Sequence, residues 1–66
     1  MITVTVNGER HQLDRGITVA GLLAVLDLPT EGVAVAIDAA VVPRARWASE
    51  VVDGAEVEVL SAVPGG

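Results

Sequence analysis

Ile2, Val4 and Val6 alternate with Thr3, Thr5 and Asn7, and the run stops at Asn7-Gly8. Period-two alternation of β-branched residues is the pattern of a strand with one face buried. Asn-Gly favours a two-residue type I′ turn, whose twist matches that of a tight hairpin. Glu9 to Leu13 therefore reads as the returning strand, with Leu13 turned inward. The chain must begin with a β-hairpin whose apolar face needs a cover. His11 lies on the returning strand. With no partner evident for it, it reads as a solvent-facing strand residue rather than a catalytic one.

The cover comes next. Asp14-Arg15-Gly16 breaks the alternation, and Thr18 is placed to cap a helix. Val19, Leu22, Leu23 and Leu26 fall at i, i+3, i+4 and i+7, which is one apolar helical face. Gly21 inside this helix costs about 1 kcal/mol relative to Ala. Asp27 to Gly32, with Pro29, ends the helix. Gly32-Val33-Ala34-Val35-Ala36-Ile37 is almost wholly apolar and predicts a central strand covered on both faces. Asp38-Ala39-Ala40 reads as a turn. Val41-Val42 reads as a brief strand stopped by Pro43, and Arg44 to Trp47 as a helical turn. Trp47, the one aromatic residue, reads as an anchor at the edge of the core. After the Asp53-Gly54 turn signal, Glu56-Val57-Glu58-Val59-Leu60 alternates again, with Val57 and Val59 inward.

A helix between the first hairpin and the last strand supplies a crossover, so those strands can pair in parallel at the sheet centre. The expectation is an α+β fold, a mixed sheet packed on one main helix, which is the β-grasp or ubiquitin-like arrangement. At 66 residues the chain reads as a single domain, 1–66.

Composition narrows the chemistry. The net charge is −5, which argues against nucleic acid or an anionic membrane as the main partner. With no cysteine, a disulfide scaffold, a thiolate metal site and a cysteine nucleophile are excluded. No metal site is expected. No apolar stretch approaches the ~20 residues of a membrane span, and Met1-Ile2-Thr3-Val4 lacks a signal-peptide pattern. The cytoplasm is the expected location. Lysine and tyrosine are both absent, and His11 is the sole histidine. A self-contained active site needs a nucleophile, a base and a stabiliser, so this inventory points to a carrier or protein substrate rather than an enzyme.

The sequence ends Ala62-Val63-Pro64-Gly65-Gly66. Glycine lacks a Cβ, so Gly65-Gly66 is expected to carry a terminal carboxylate into a narrow channel of another protein. The apolar alternation is lost after Leu60, so 62–66 is expected to form a flexible tail. Fully extended, five residues reach at most ~18 Å. An apolar docking patch is expected at the base of that tail, with Val41, Val42, Leu60, Val63 and Pro64 as candidates.

Taken together, these segments resemble the ThiS/MoaD ubiquitin-like family of sulfur carriers, in its thiamine-biosynthesis (ThiS) branch. The resemblance spans essentially the whole chain. It rests on Ile2-Thr3-Val4-Thr5-Val6-Asn7-Gly8, Thr18-Val19-Ala20-Gly21-Leu22-Leu23 and Val33-Ala34-Val35-Ala36-Ile37. Val42-Pro43-Arg44 with Trp47, Asp53-Gly54 and the ending Ala62-Val63-Pro64-Gly65-Gly66 complete it. The resemblance implies that the Gly66 carboxylate, presented on Gly65, is adenylated and then converted to a thiocarboxylate that donates sulfur for thiazole formation. It implies an E1-like adenylyltransferase of the ThiF type that uses ATP, a thiazole synthase of the ThiG type, and a sulfur donor such as a cysteine desulfurase. The carrier itself is expected to bind no cofactor and to be a monomer when free. The small subunit of molybdopterin synthase, a tRNA-thiolation carrier and a ubiquitin-like protein modifier share the Gly-Gly ending. A plain interaction module would make no use of it.

Overall fold

The computed structural model describes residues 1–61. Five strands form one mixed sheet: β1 (Ile2–Val6), β2 (Glu9–Leu13), β3 (Val33–Ile37), β4 (Ala40–Val42) and β5 (Glu56–Ser61). One α-helix, α1 (Val19–Val25), and a single 3-10 turn (Arg44–Arg46) complete the described elements. The strand order is β2-β1-β5-β3-β4. β1 and β5 are parallel at the centre, and every other neighbouring pair is antiparallel. This is the β-grasp arrangement expected from the order of the segments.

Local chemistry accounts for each element. Asn7 and Gly8 both have positive φ, 50° and 86°, as a type I′ turn requires. The hairpin register sets Ile2 against Leu13 and Val6 against Glu9. Thr18 caps α1, its Oγ1 accepting from the Gly21 amide at 3.0 Å. This explains the glycine inside the helix. A Cβ on Gly21 would stand 3.2 Å from that capping oxygen and 3.3 Å from Ile17 Cγ1. The helix closes with paired bonds from Leu28 N–H to the Leu23 carbonyl (2.8 Å) and from Asp27 N–H to the Ala24 carbonyl (3.1 Å). With Asp27 at φ 58°, this is a Schellman ending.

The core lies between the helix and one face of the sheet. Ile2, Val4, Val6, Leu13, Val35 and Val57 from the sheet meet Val19, Leu22 and Leu23 from the helix. Trp47, Val51 and Ala55 from the long connection close it. Trp47 is buried at the core margin, as expected, and its indole Nε1 donates to the Val42 carbonyl at 3.1 Å.

Two expectations need correction. Among the described residues β3 is covered on one face only: Val35 is buried and Val33 and Ile37 pack on the core, while Ala34 is exposed. The run reads as continuously apolar because alanine occupies the outer positions, and there is a helix on one side alone to cover it. His11 does not point to open solvent. Its register partner is Val4, and residues paired across an antiparallel ladder share a face. His11 therefore lies on the helix side of the sheet, half-buried because β2 is an edge strand and α1 covers only part of its width. Its Nε2 is 3.8 Å from the Glu9 carboxylate, two residues away on the same face.

Candidate functional site

Of the candidate site residues, Val63, Pro64, Gly65 and Gly66 lie outside the described residues. What the structure places is the strand that leads to them and the surface beside it. β5 is held on both flanks over most of its length. Toward β3 its pairing runs as far as Ser61 opposite Val33. Toward β1, strand pairing ends with Val6 opposite Val57, where the chain turns back at Asn7-Gly8.

Beyond that point a side chain takes over. The Asn7 Oδ1 accepts from the Val59 amide at 2.8 Å, and the Asn7 Nδ2 donates to the Val59 carbonyl at 3.2 Å. The Asn7 main chain adds an N–H bond to the Val57 carbonyl at 2.9 Å. Asn7 therefore grips two successive rungs of β5. In sequence this residue signals only a turn.

The outer face of the sheet, away from α1, carries the exposed docking candidates. Leu60 on β5 stands opposite Ala34 on β3, and Ala36 on β3 lies between Glu58 on β5 and Val41 on β4. Val41 and Leu60 are 74% and 61% exposed. Val42 has the opposite orientation and packs against the core. The patch is thus Val41, Ala36, Ala34 and Leu60, with Glu58 and Glu56 exposed beside it.

The β4 edge is braced from behind. The Arg44 guanidinium lies 4.6 Å from the Trp47 ring centroid and donates to the Thr30 carbonyl. A cation over an indole face is attractive, so this one side chain ties the loop after α1 to the 3-10 turn. At the neighbouring end of the sheet, Asp38 bonds β5 through both its backbone and its side chain, at 2.8 Å and 3.0 Å. Asp53 Oδ1 accepts from the Thr3 amide at 2.7 Å and holds the entry to β5. Among the described residues no cluster of His, Cys, Asp and Glu could hold a metal ion, and no buried side-chain polar atom lacks a partner. No described helix is long and apolar enough to cross a membrane.

Comparison with known proteins agrees with this fold. The model of the ThiS family matches residues 4–66. The chain belongs to the ThiS family. The match includes Gly65 and Gly66. The crystal structure of thiamine biosynthesis protein ThiS from Geobacter metallireducens is similar at 35% identity and a TM-score of 0.81, covering 98% of this chain and 100% of that one. The solution structure of a thiamine biosynthesis protein from the same organism is similar at 33% identity and a TM-score of 0.74, covering 98% and 88%. No curated protein matches the chain significantly.

Proposed function

We propose that this ThiS-family chain is a sulfur carrier of thiamine biosynthesis and that the Gly66 carboxylate is its reacting group. The observation that carries this reading is a family match that runs through Gly65-Gly66, together with the full-length likeness to a thiamine biosynthesis protein. A carboxylate is a poor electrophile. Attack of its oxygen on the α-phosphorus of ATP releases pyrophosphate and leaves an acyl adenylate. The terminal sulfur of a donor persulfide then displaces AMP to form an acyl disulfide, and a thiol reductant cleaves its S–S bond to leave a terminal thiocarboxylate, a softer nucleophile that can give its sulfur to a thiazole under construction. An E1-like adenylyltransferase of the ThiF type supplies the phosphate clamp, and a thiazole synthase of the ThiG type consumes the thiocarboxylate. A cysteine desulfurase is a suitable donor.

Docking uses the outer sheet face. Val41 and Leu60 provide apolar area beside the strand that leads to the reacting end, and Glu56 and Glu58 favour a partner with basic groups around an apolar centre. Val42 supports this surface from its core side. The chain acts in the cytoplasm as a free monomer between these encounters.

The test is the intact mass of the protein isolated from its own cells. A species heavier by the sulfur-for-oxygen difference, lost when Gly65-Gly66 is deleted, is expected. A single unmodified mass under conditions that demand thiamine synthesis would refute the reading. A lasting amide between Gly66 and a lysine of another protein would make the chain a modifier instead.

A further inference from the structure

We propose that the side-chain amide of Asn7 stands in for a missing main-chain acceptor and donor, extends the parallel β1–β5 ladder and positions the end of β5 for the reaction at the chain's terminus. The second half of this statement rests on the sulfur-carrier reading; the first does not. In a parallel ladder, one residue donates its N–H to one partner carbonyl and accepts from the amide two residues further on. Thr5 and Asn7 donate to the carbonyls of Ala55 and Val57, at 3.0 Å and 2.9 Å. The next rung would need the Asn7 carbonyl to accept from Val59 N–H and the residue 9 amide to donate to Val59 C=O. Both main-chain groups have been turned away by the hairpin, and Glu9 pairs with Val6 in β2. Oδ1 and Nδ2 of Asn7 make these two bonds in their place, at 2.8 Å and 3.2 Å.

The substitution is chemically specific. A planar primary carboxamide has an acceptor oxygen and, unlike a trans peptide group, an N–H directed to the same side, so one group can meet both the N–H and the C=O of Val59. A carboxylate has only acceptors and would face the Val59 carbonyl with a like partial charge. A hydroxyl cannot span both groups. The backbone at Asn7 also has a φ of 50°, which asparagine adopts more readily than most residues. Both demands fall on one position, at the turn and at the ladder.

The consequence lies along β5. On the β1 flank, Val59 would otherwise present an unpaired N–H and C=O and be held by β3 alone. A strand paired on one side twists and frays more easily than one held on both. With Asn7 in place, Val59 is bonded on both flanks, two residues before β5 ends at Ser61. Reaction at a partner's active centre depends steeply on such placement. Asn7 is thus a positioning residue, acting through Val59 rather than on the reacting atoms.

The test uses the full chain, Asn7→Gly and Asn7→Asp. Glycine keeps the positive φ and deletes the amide; aspartate keeps the φ and the acceptor for Val59 N–H but loses the donor. Amide hydrogen exchange reads the clamp with no partner present. In Asn7→Gly the protection factor of the Val59 amide should fall about tenfold, the scale of one lost hydrogen bond, while that of Leu23 in α1 is unchanged. Asn7→Asp should retain part of the protection. Adenylation by the E1-like enzyme reads the positioning. Its kcat should fall about tenfold in Asn7→Gly with a smaller change in KM, because Val41 and the β3 pairing of Leu60 are kept. Undiminished Val59 protection in Asn7→Gly would overturn the clamp. Lost protection with an unchanged kcat, or a rise in KM alone, would overturn the positioning role. A native chain that the enzyme does not adenylate would refute the carrier reading and the positioning role with it, while the exchange measurement would still decide the clamp.

Discussion

At single residues, the fit between side chain and backbone decides what a substitution does. Ala39 has φ 69° in the two-residue turn between β3 and β4, a region that costs an L-residue with a Cβ roughly 1–2 kcal/mol. Ile37 opposite Ala40 leaves no alternative length for that turn. Ala39→Gly removes the penalty and adds back a smaller entropic cost in the unfolded chain. A net gain of about 0.5 kcal/mol is expected in urea unfolding, and a loss would mean that the turn is not strained. Gly21 is the reverse case. An exposed helical Gly→Ala change should gain about 1 kcal/mol. Here the new methyl presses on the Thr18 cap and on Ile17, so Gly21→Ala should gain much less than that and could be neutral. A full gain by thermal unfolding would show that the cap yields freely.

At the scale of elements, the seven-residue α1 is too short to persist without its cap and its packing. Thr18→Ala removes the side-chain capping bond to its first turn and should destabilise the protein by about 1 kcal/mol. β4 distinguishes surface from core within two adjacent residues. Val41→Asp places a charge on an open sheet face and should change stability by less than about 0.5 kcal/mol. Its effect should appear as weaker binding to the activating enzyme. Val42→Asp buries a carboxylate against the core and should cost at least ~2 kcal/mol. Equal destabilisation by the two changes, in denaturant titration, would show that the outer face is not free for a partner.

For the whole molecule, the absence of lysine has a chemical consequence. An activated C-terminal acyl group is attacked by nearby amines, and no side chain of this protein offers one. The arginine guanidinium is not a competent nucleophile and does not compete. Incubation with ATP and the activating enzyme, without an acceptor, should therefore yield no ladder of oligomers linked through side chains on denaturing electrophoresis. A ladder resolved by mass to side-chain linkages would contradict this. Glu58→Lys, at an exposed site on the docking face, should introduce some self-linkage that the native chain lacks.

The sequence determined the elements and their order, because local terms dominate there. Alternation marked β1 and β5, Asn7-Gly8 marked the hairpin, Thr18 the cap, and the i, i+3, i+4 spacing the buried face of α1. The same local signals, with the Gly-Gly ending, were enough to recognise the family. The tertiary structure decided how faces are shared out, which depends on register and on how far one helix reaches. The orientation of His11 was in principle legible, since Leu13 turned inward carries residues 11 and 9 with it; its half-burial depended on the width of α1. The one-sided cover of β3 was hidden because alanine is apolar whether exposed or not. Val41 and Val42 look equivalent in sequence and lie on opposite faces, since strand pleating separates adjacent side chains. The Asn7–Val59 pairing joins residues 52 positions apart. No local pattern encodes it: it exists only because a parallel crossover brings the end of β5 past the turn where β1 stops.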